Sequence, residues 1–194
     1  MSDPAADALA RSTSVLVLVD FQARLAPAIH SIAGVMTHAN ALLDGAALLD
    51  VPVVLTEHCA DAIGGTVPSL SERAPQATIV SKVHFDATRE DRLIKTLEPM
   101  GRMDVVVGGI EAHVCVLQTA LGLIRAGYRV WLARDATGSR KPSDHAAAQE
   151  RLCAAGARLV TTEMVLFEWL DRGDADAFRA LLPTIKGLDQ PVGG

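Results

Sequence analysis

Three residues able to do covalent chemistry stand at or just beyond the ends of short Val-rich runs. Asp20 closes SVLVLVD (14–20), Lys82 closes ATIVSK (77–82), and Cys115 follows DVVVGG (104–109) within GGIEAHVC. A carboxylate beside a thiol can take its proton and later return it to a leaving group, while the thiolate attacks an electrophilic carbon. Cys115 falls about two residues into the helical run HVCVLQTALGLIRAG (113–127). There, unpaired backbone N–H groups and the positive end of the helix dipole favour thiolate, and a nearby lysine adds to this. Backbone N–H groups in the preceding turn can hold a developing oxyanion. Residue types alone leave alternatives open. Free cysteine is among the most buried residue types, an acid at a strand end can cap the chain that follows, and a lysine can snorkel.

Other candidates fall on the same edge. Glu57, His58 and Asp135 also follow apolar runs, and His84 and His113 sit beside the key residues, which invites a Cys–His reading. Glu57, His58 and Cys59 carry metal-binding atoms, but consecutive residues do not readily converge on one ion, so no metal is expected. No cofactor is expected either: GGI (108–110) lacks the phosphate-loop pattern, and no G-x-G-x-x-G occurs. Cys59 reads as an incidental thiol or pocket wall, Cys153 as a packing residue on a helix, and Asp135 as a capping or loop-orienting acid.

These residues need a scaffold that brings strand ends together. Six apolar runs, at 14–20, 51–57, 77–82, 104–109, 128–133 and 157–162, have the composition of strands buried on both faces. Helical patterns fall between most of them, at 34–50, 91–100, 113–127 and 143–156, and 162–186 adds one or two more. Strands alternating with helices imply an α/β fold, with a six-stranded, mostly parallel sheet between helical layers. Ligands of open α/β sheets bind outside the carboxyl ends of the strands, which is where the candidates lie. The segment 59–76, rich in Gly, Pro and Ser, reads as a structured functional loop framing a pocket.

The 194 residues suit one domain over 1–194, with loose ends at about 1–12 and 187–194. A hydrophobic share of 49% argues for a compact chain, and a net charge of −5 argues against a broad nucleic-acid footprint. No apolar stretch reaches membrane-spanning length and no secretory leader is evident, so a cytoplasmic location without membrane partners is expected. Three cysteines form no disulfide framework.

The stretches VLVDFQ (17–22), SKVHFDA (81–87) and VVVGGIEAHVCVLQTALGL (105–123) resemble the three signature regions of the isochorismatase-like cysteine hydrolases. TEH, GGTVPSL and LVTTE add a likeness to the branch called isochorismatase domain-containing proteins. The resemblance covers nearly the whole chain. It implies a three-layer α-β-α fold, a triad of Asp20 as base, Lys82, and Cys115 as nucleophile, and no cofactor. It also implies a cis peptide between Ile110 and Glu111 and an oxyanion hole formed by the N–H groups of Glu111 and Cys115. Phe21, Gln22, His58, His84, Phe85 and His113 become expected substrate contacts, and the Glu111 side chain a candidate for pairing across a subunit contact. The Asp-x-His metal pair of the nicotinamidases in this superfamily is absent. The expected function is hydrolysis of a small-molecule C–N (amide) bond through a Cys thioester. The alternatives are isochorismate-type vinyl-ether hydrolysis, or a catalytically idle binding protein on the same fold. A homo-oligomer, a dimer or larger, follows from the same likeness.

Overall fold

A computed structural model describes residues 8–188. Six strands, β1 (Ser14–Val19), β2 (Val53–His58), β3 (Thr78–Lys82), β4 (Asp104–Ile110), β5 (Arg129–Gly138) and β6 (Arg158–Val160), form one sheet in the order β3-β2-β1-β4-β5-β6. Every pairing is parallel, so the mostly parallel expectation becomes all-parallel. Parallel strands need crossovers, and these are the helices. They are α1 (Ile32–Leu48), short α2 (Ala60–Ile63) and α3 (Pro68–Ser71), α4 (Asp91–Leu97), α5 (Leu117–Arg125) and α6 (Pro142–Ala154), while α7 (Thr162–Leu170) and α8 (Asp176–Gly187) follow the last strand.

Strand alternation divides the core in two. On β1, Leu16 and Leu18 join the layer built from α1, α7 and α8, whereas Val15, Val17 and Val19 join the layer of α4, α5 and α6. All five are essentially inaccessible, which is why the run is apolar without a break. Truncating such a leucine to alanine costs about 2–5 kcal/mol.

The chain moves outward from β1 through β2 to β3, then returns to the other side of β1 to lay down β4. This reversal makes the carboxyl ends of β1 and β4 the topological switch point. Gly108 and Gly109 let the two strands close there. A Cβ on Gly109, whose φ is 147°, would lie 2.5 Å from the Val19 carbonyl oxygen.

Two boundary expectations change. Leu9 is not loose: it is buried, and its N–H donates to Glu168 at 2.6 Å. Gly187 closes α8 rather than opening a tail. Residues 1–7 and 189–194 of the expected loose ends lie outside the described residues. The 59–76 segment holds α2 and α3 and is tied to the end of β1 by a Gln22–Thr66 bridge.

Candidate active site

Asp20 comes one residue after β1 and leaves the extended conformation, with φ at 53°. Strict alternation would point it at the α1 layer with Leu16 and Leu18. The left-handed turn instead lets its carboxylate meet Thr56 and Lys82, residues of the other face. Thr56 donates its hydroxyl to Oδ1 at 2.6 Å, and the Lys82 ammonium lies 2.6 Å from Oδ2. Both charged side chains are fully buried. The ammonium is not aligned as a hydrogen-bond donor to Oδ2, which keeps accepting capacity. Lys82 donates to the His84 carbonyl at 3.3 Å.

Cys115 arrives from β4. The Ile110–Glu111 peptide bond is cis, and the chain then forms a single π-helical turn over Ala112–Val116 before α5 begins. Such turns insert a residue into helical geometry and occur often at functional sites. Cys115 is 5% exposed, and the charges of Asp20 and Lys82 both act on its thiol. Thus the structure brings Asp20, Lys82 and Cys115 into one buried cluster.

The resting protonation state differs from the sequence expectation of a thiol tuned toward thiolate. Burial pushes the thiol up to about 12, with the Asp20 charge adding to the rise and Lys82 opposing it. The helix-mouth position does not prevail, because desolvation of a buried anion outweighs a terminal dipole. Chemically, the cluster is a thiol next to a carboxylate with a free acceptor position, held neutral overall by one ammonium.

The expected substrate contacts separate. Phe21, 1% exposed, packs into the α1 layer. Gln22 is fully buried and clamps the main chain of His58: its amide donates to the His58 carbonyl at 3.0 Å, and its Oε1 accepts the His58 N–H at 2.8 Å. It is a scaffold residue. The His84 ring is engaged by Glu90 at 2.9 Å, and the same carboxylate accepts the Val83 and His84 N–H groups. Those bonds, with the Val83 N–H the largest influence, hold Glu90 down to about 2. His113 contacts the Ser139 hydroxyl at 2.9 Å and lies 3.4 Å from Glu111. His58 and Phe85 remain at the cluster, with ring centroids 5.1 Å apart.

The remaining candidates also find partners or exposure in the structure. The Glu111 carboxylate accepts from Arg140 of the same chain at 2.9 Å, so its side chain already has an intramolecular partner. Cys153 is exposed rather than packed, because α6 turns that position outward. Glu57 closes the 59–76 segment by accepting from Thr66 N–H at 2.7 Å and Oγ1 at 2.8 Å. Asp135 accepts the Thr162 N–H at 2.9 Å and so caps the start of α7. Thr56 was missed by the residue reading, although its place beside the end of β1 made it a natural partner for Asp20. Among the described residues, no group of three or more His, Cys, Asp or Glu side chains could hold a metal ion. No described helix is long and apolar enough to cross a membrane.

The family model of the isochorismatase domain matches residues 14–164. Isochorismatase domain-containing protein 1 of Danio rerio is 34% identical over 183 residues, covering 92% of this chain. This chain spans only 62% of that relative's length. Among solved structures, the MAR1 ribonuclease of Caenorhabditis elegans superposes with a TM-score of 0.89 at 30% identity, over 96% of both chains. The YcaC gene product of Escherichia coli, described as an octameric hydrolase of unknown specificity, superposes with a TM-score of 0.87 at 26% identity, over 94% of this chain and 90% of its own.

Proposed function

The chain belongs to the isochorismatase family of hydrolases, and we propose that it cleaves a small-molecule amide C–N bond through a thioester on Cys115. The observation that carries this reading is the Asp20–Lys82–Cys115 cluster, with an Asp20 oxygen still able to accept a proton beside the thiol.

In the cycle, Asp20 takes the Cys115 proton as the sulfur attacks the amide carbon, so no standing thiolate is needed. The tetrahedral oxyanion is held by the N–H groups of Glu111 and Cys115, in the turn that carries the nucleophile. Asp20 gives the proton to the departing nitrogen, the C–N bond breaks, and the acyl group stays on sulfur. Water loses a proton to Asp20 and attacks the thioester. The acid leaves, and the returning proton restores the thiol. Lys82 sets a positive charge 2.6 Å from the Asp20 carboxylate inside the buried cluster.

An RNA substrate, suggested by the name of the Caenorhabditis neighbour, is less well served by this site. The only cation in the cluster is already 2.6 Å from a carboxylate, leaving little for a phosphodiester. We further propose one domain acting as a homo-oligomer, in line with the octameric Escherichia coli neighbour.

The test is ammonia release from a broad panel of small primary amides, with Cys115→Ala as the blank. Release that requires Cys115 supports the reading. A panel without Cys115-dependent release, or cleavage of an RNA oligonucleotide that requires Cys115, overturns it.

A further inference from the structure

A cavity of about 270 Å³ lies between the start of α1, the end of β5 and the start of α6, and none of Asp20, Lys82 and Cys115 lines it. Its polar side chains come from separate elements. His30 and Ser31 precede α1, and His38 lies on the helix face that it shares with Gly34 and Val35. Arg134 and Asp135 stand on β5, and His145 is in the first turn of α6.

The one carboxylate in this lining is already engaged. Asp135 accepts the Thr162 N–H at 2.9 Å and the Thr162 hydroxyl at 2.8 Å on one oxygen, and His38 lies 3.4 Å from the other. The His145 ring is held by hydrogen bonds with the Thr137 hydroxyl at 2.9 Å and the Gln149 amide at 2.8 Å. Among the described residues, no hydrogen bond or ion pair engages the side chains of His30, Ser31 or Arg134. Arg134 brings five N–H donors and a permanent charge, while the imidazole and the hydroxyl each bring a further donor. Burial, and then the Arg134 charge, lower His145 below the ordinary imidazole range, so that ring is neutral at pH 7. The cavity therefore presents one uncompensated guanidinium and donors without acceptors.

We propose that this cavity binds a phosphate group, either as the free ion or as a small phosphomonoester. A guanidinium fork matches two phosphate oxygens at once, which leaves the remaining oxygens for His30 and Ser31 on the opposite wall. A tetrahedral oxyanion presents acceptors in all these directions, whereas a carboxylate presents a single edge. Val35, Gly138 and Pro142 also line the cavity and leave apolar room for a short organic body. The inference is independent of the amide-hydrolase reading, because the catalytic cluster contributes nothing to the lining.

The experiment titrates the full chain with inorganic phosphate, glycerol 2-phosphate and acetate in chloride buffer at pH 7, following the histidine ring signals by NMR. Phosphate should give saturable shifts at His30, His38 and His145. Affinity should fall at least about tenfold in Arg134→Gln and recover in part in Arg134→Lys. Arg172→Gln, which removes an exposed arginine paired with Asp174, should leave it unchanged. Tighter binding of glycerol 2-phosphate than of phosphate identifies an ester as the ligand, and the reverse order identifies the free ion. The proposal is overturned by the absence of saturable shifts at millimolar phosphate, by equal affinity in Arg134→Gln, or by an equal loss in Arg172→Gln. Acetate binding as tightly as phosphate overturns it as well, as do shifts at His58 and His84 in place of the three cavity histidines. None of these outcomes bears on Cys115-dependent ammonia release, so the two readings stand or fall separately.

Discussion

The β1–β4 ladder ends in a buried aspartate at each edge of the sheet, and the two are satisfied in opposite ways. At the amino edge, Asp104 is 1% exposed and accepts from Thr13 at 2.6 Å, Arg129 Nε and Nη2 at 2.7 Å each, and Trp131 at 2.9 Å. Its acceptor positions are filled, as a structural carboxylate requires. At the carboxyl edge, Asp20 is fully buried, yet Thr56 serves one oxygen and an unaligned ammonium faces the other. Completed hydrogen bonding fixes a fold; an acceptor position left open beside a thiol is where a proton can move.

If this contrast is right, the two carboxylates respond differently to substitution. Asp20→Asn keeps the shape but removes the base, and should lower kcat by about 10²–10⁴-fold, read as ammonia release. Lys82→Met leaves the Asp20 charge buried and unpaired, and should destabilise the fold by about 3–5 kcal/mol. Adding Asp20→Asn to that variant should recover most of the loss, with urea denaturation as the measurement.

Asp104→Asn should leave turnover within a few-fold while lowering stability by about 2 kcal/mol, a figure kept modest because the Arg129 side chain is 35% exposed. Burial works to raise the Asp104 pKa, but the bonds from Arg129, Thr13 and Trp131 outweigh it and hold the group below the usual carboxylate value. The folded pKa is therefore the lower one. Its stabilisation is complete above the unfolded value of about 4 and is lost as pH falls through the folded value. Thermal unfolding below about pH 4 should accordingly show a steeper acid loss in wild type than in Asp104→Asn.

The smallest effect is also the most diagnostic in sign. Beyond the larger effect of burial, the Asp20 charge raises the Cys115 pKa, so Asp20→Asn should make Cys115 alkylate several-fold faster at pH 8–9 even as turnover falls. Mass spectrometry of iodoacetamide-treated peptides reads this directly. In the wild-type resting protein, Cys115 should lag behind exposed Cys153.

Much of the fold was legible because parallel strands buried on both faces write themselves as uninterrupted Val and Leu runs. The ends of those runs placed Asp20, Lys82 and the GGIEAHVC segment on one edge. What remained hidden depends on tertiary context. Nothing local distinguishes Gln22 as a main-chain clamp from Gln22 as a substrate contact, because its partners His58 and Gly64 lie 36 and 42 residues away. Phe21 and Asp20 are adjacent, yet the turn at Asp20 sends one side chain into the core and the other into the cluster. The thiol of Cys115 was misjudged because local helix position is visible in sequence and desolvation is not. Cys153 was misplaced for a related reason: apolar neighbours at 152 and 154 do not fix which face of α6 a residue occupies.

The central claim is that Cys115 carries the acyl group. Rapid quench of the protein during turnover of a primary amide, followed by peptide mass spectrometry, should show an acyl adduct on the Cys115 peptide. The adduct should form and decay at rates that account for steady-state ammonia release. Undiminished ammonia release by Cys115→Ala, or turnover with the adduct on another residue, would contradict it.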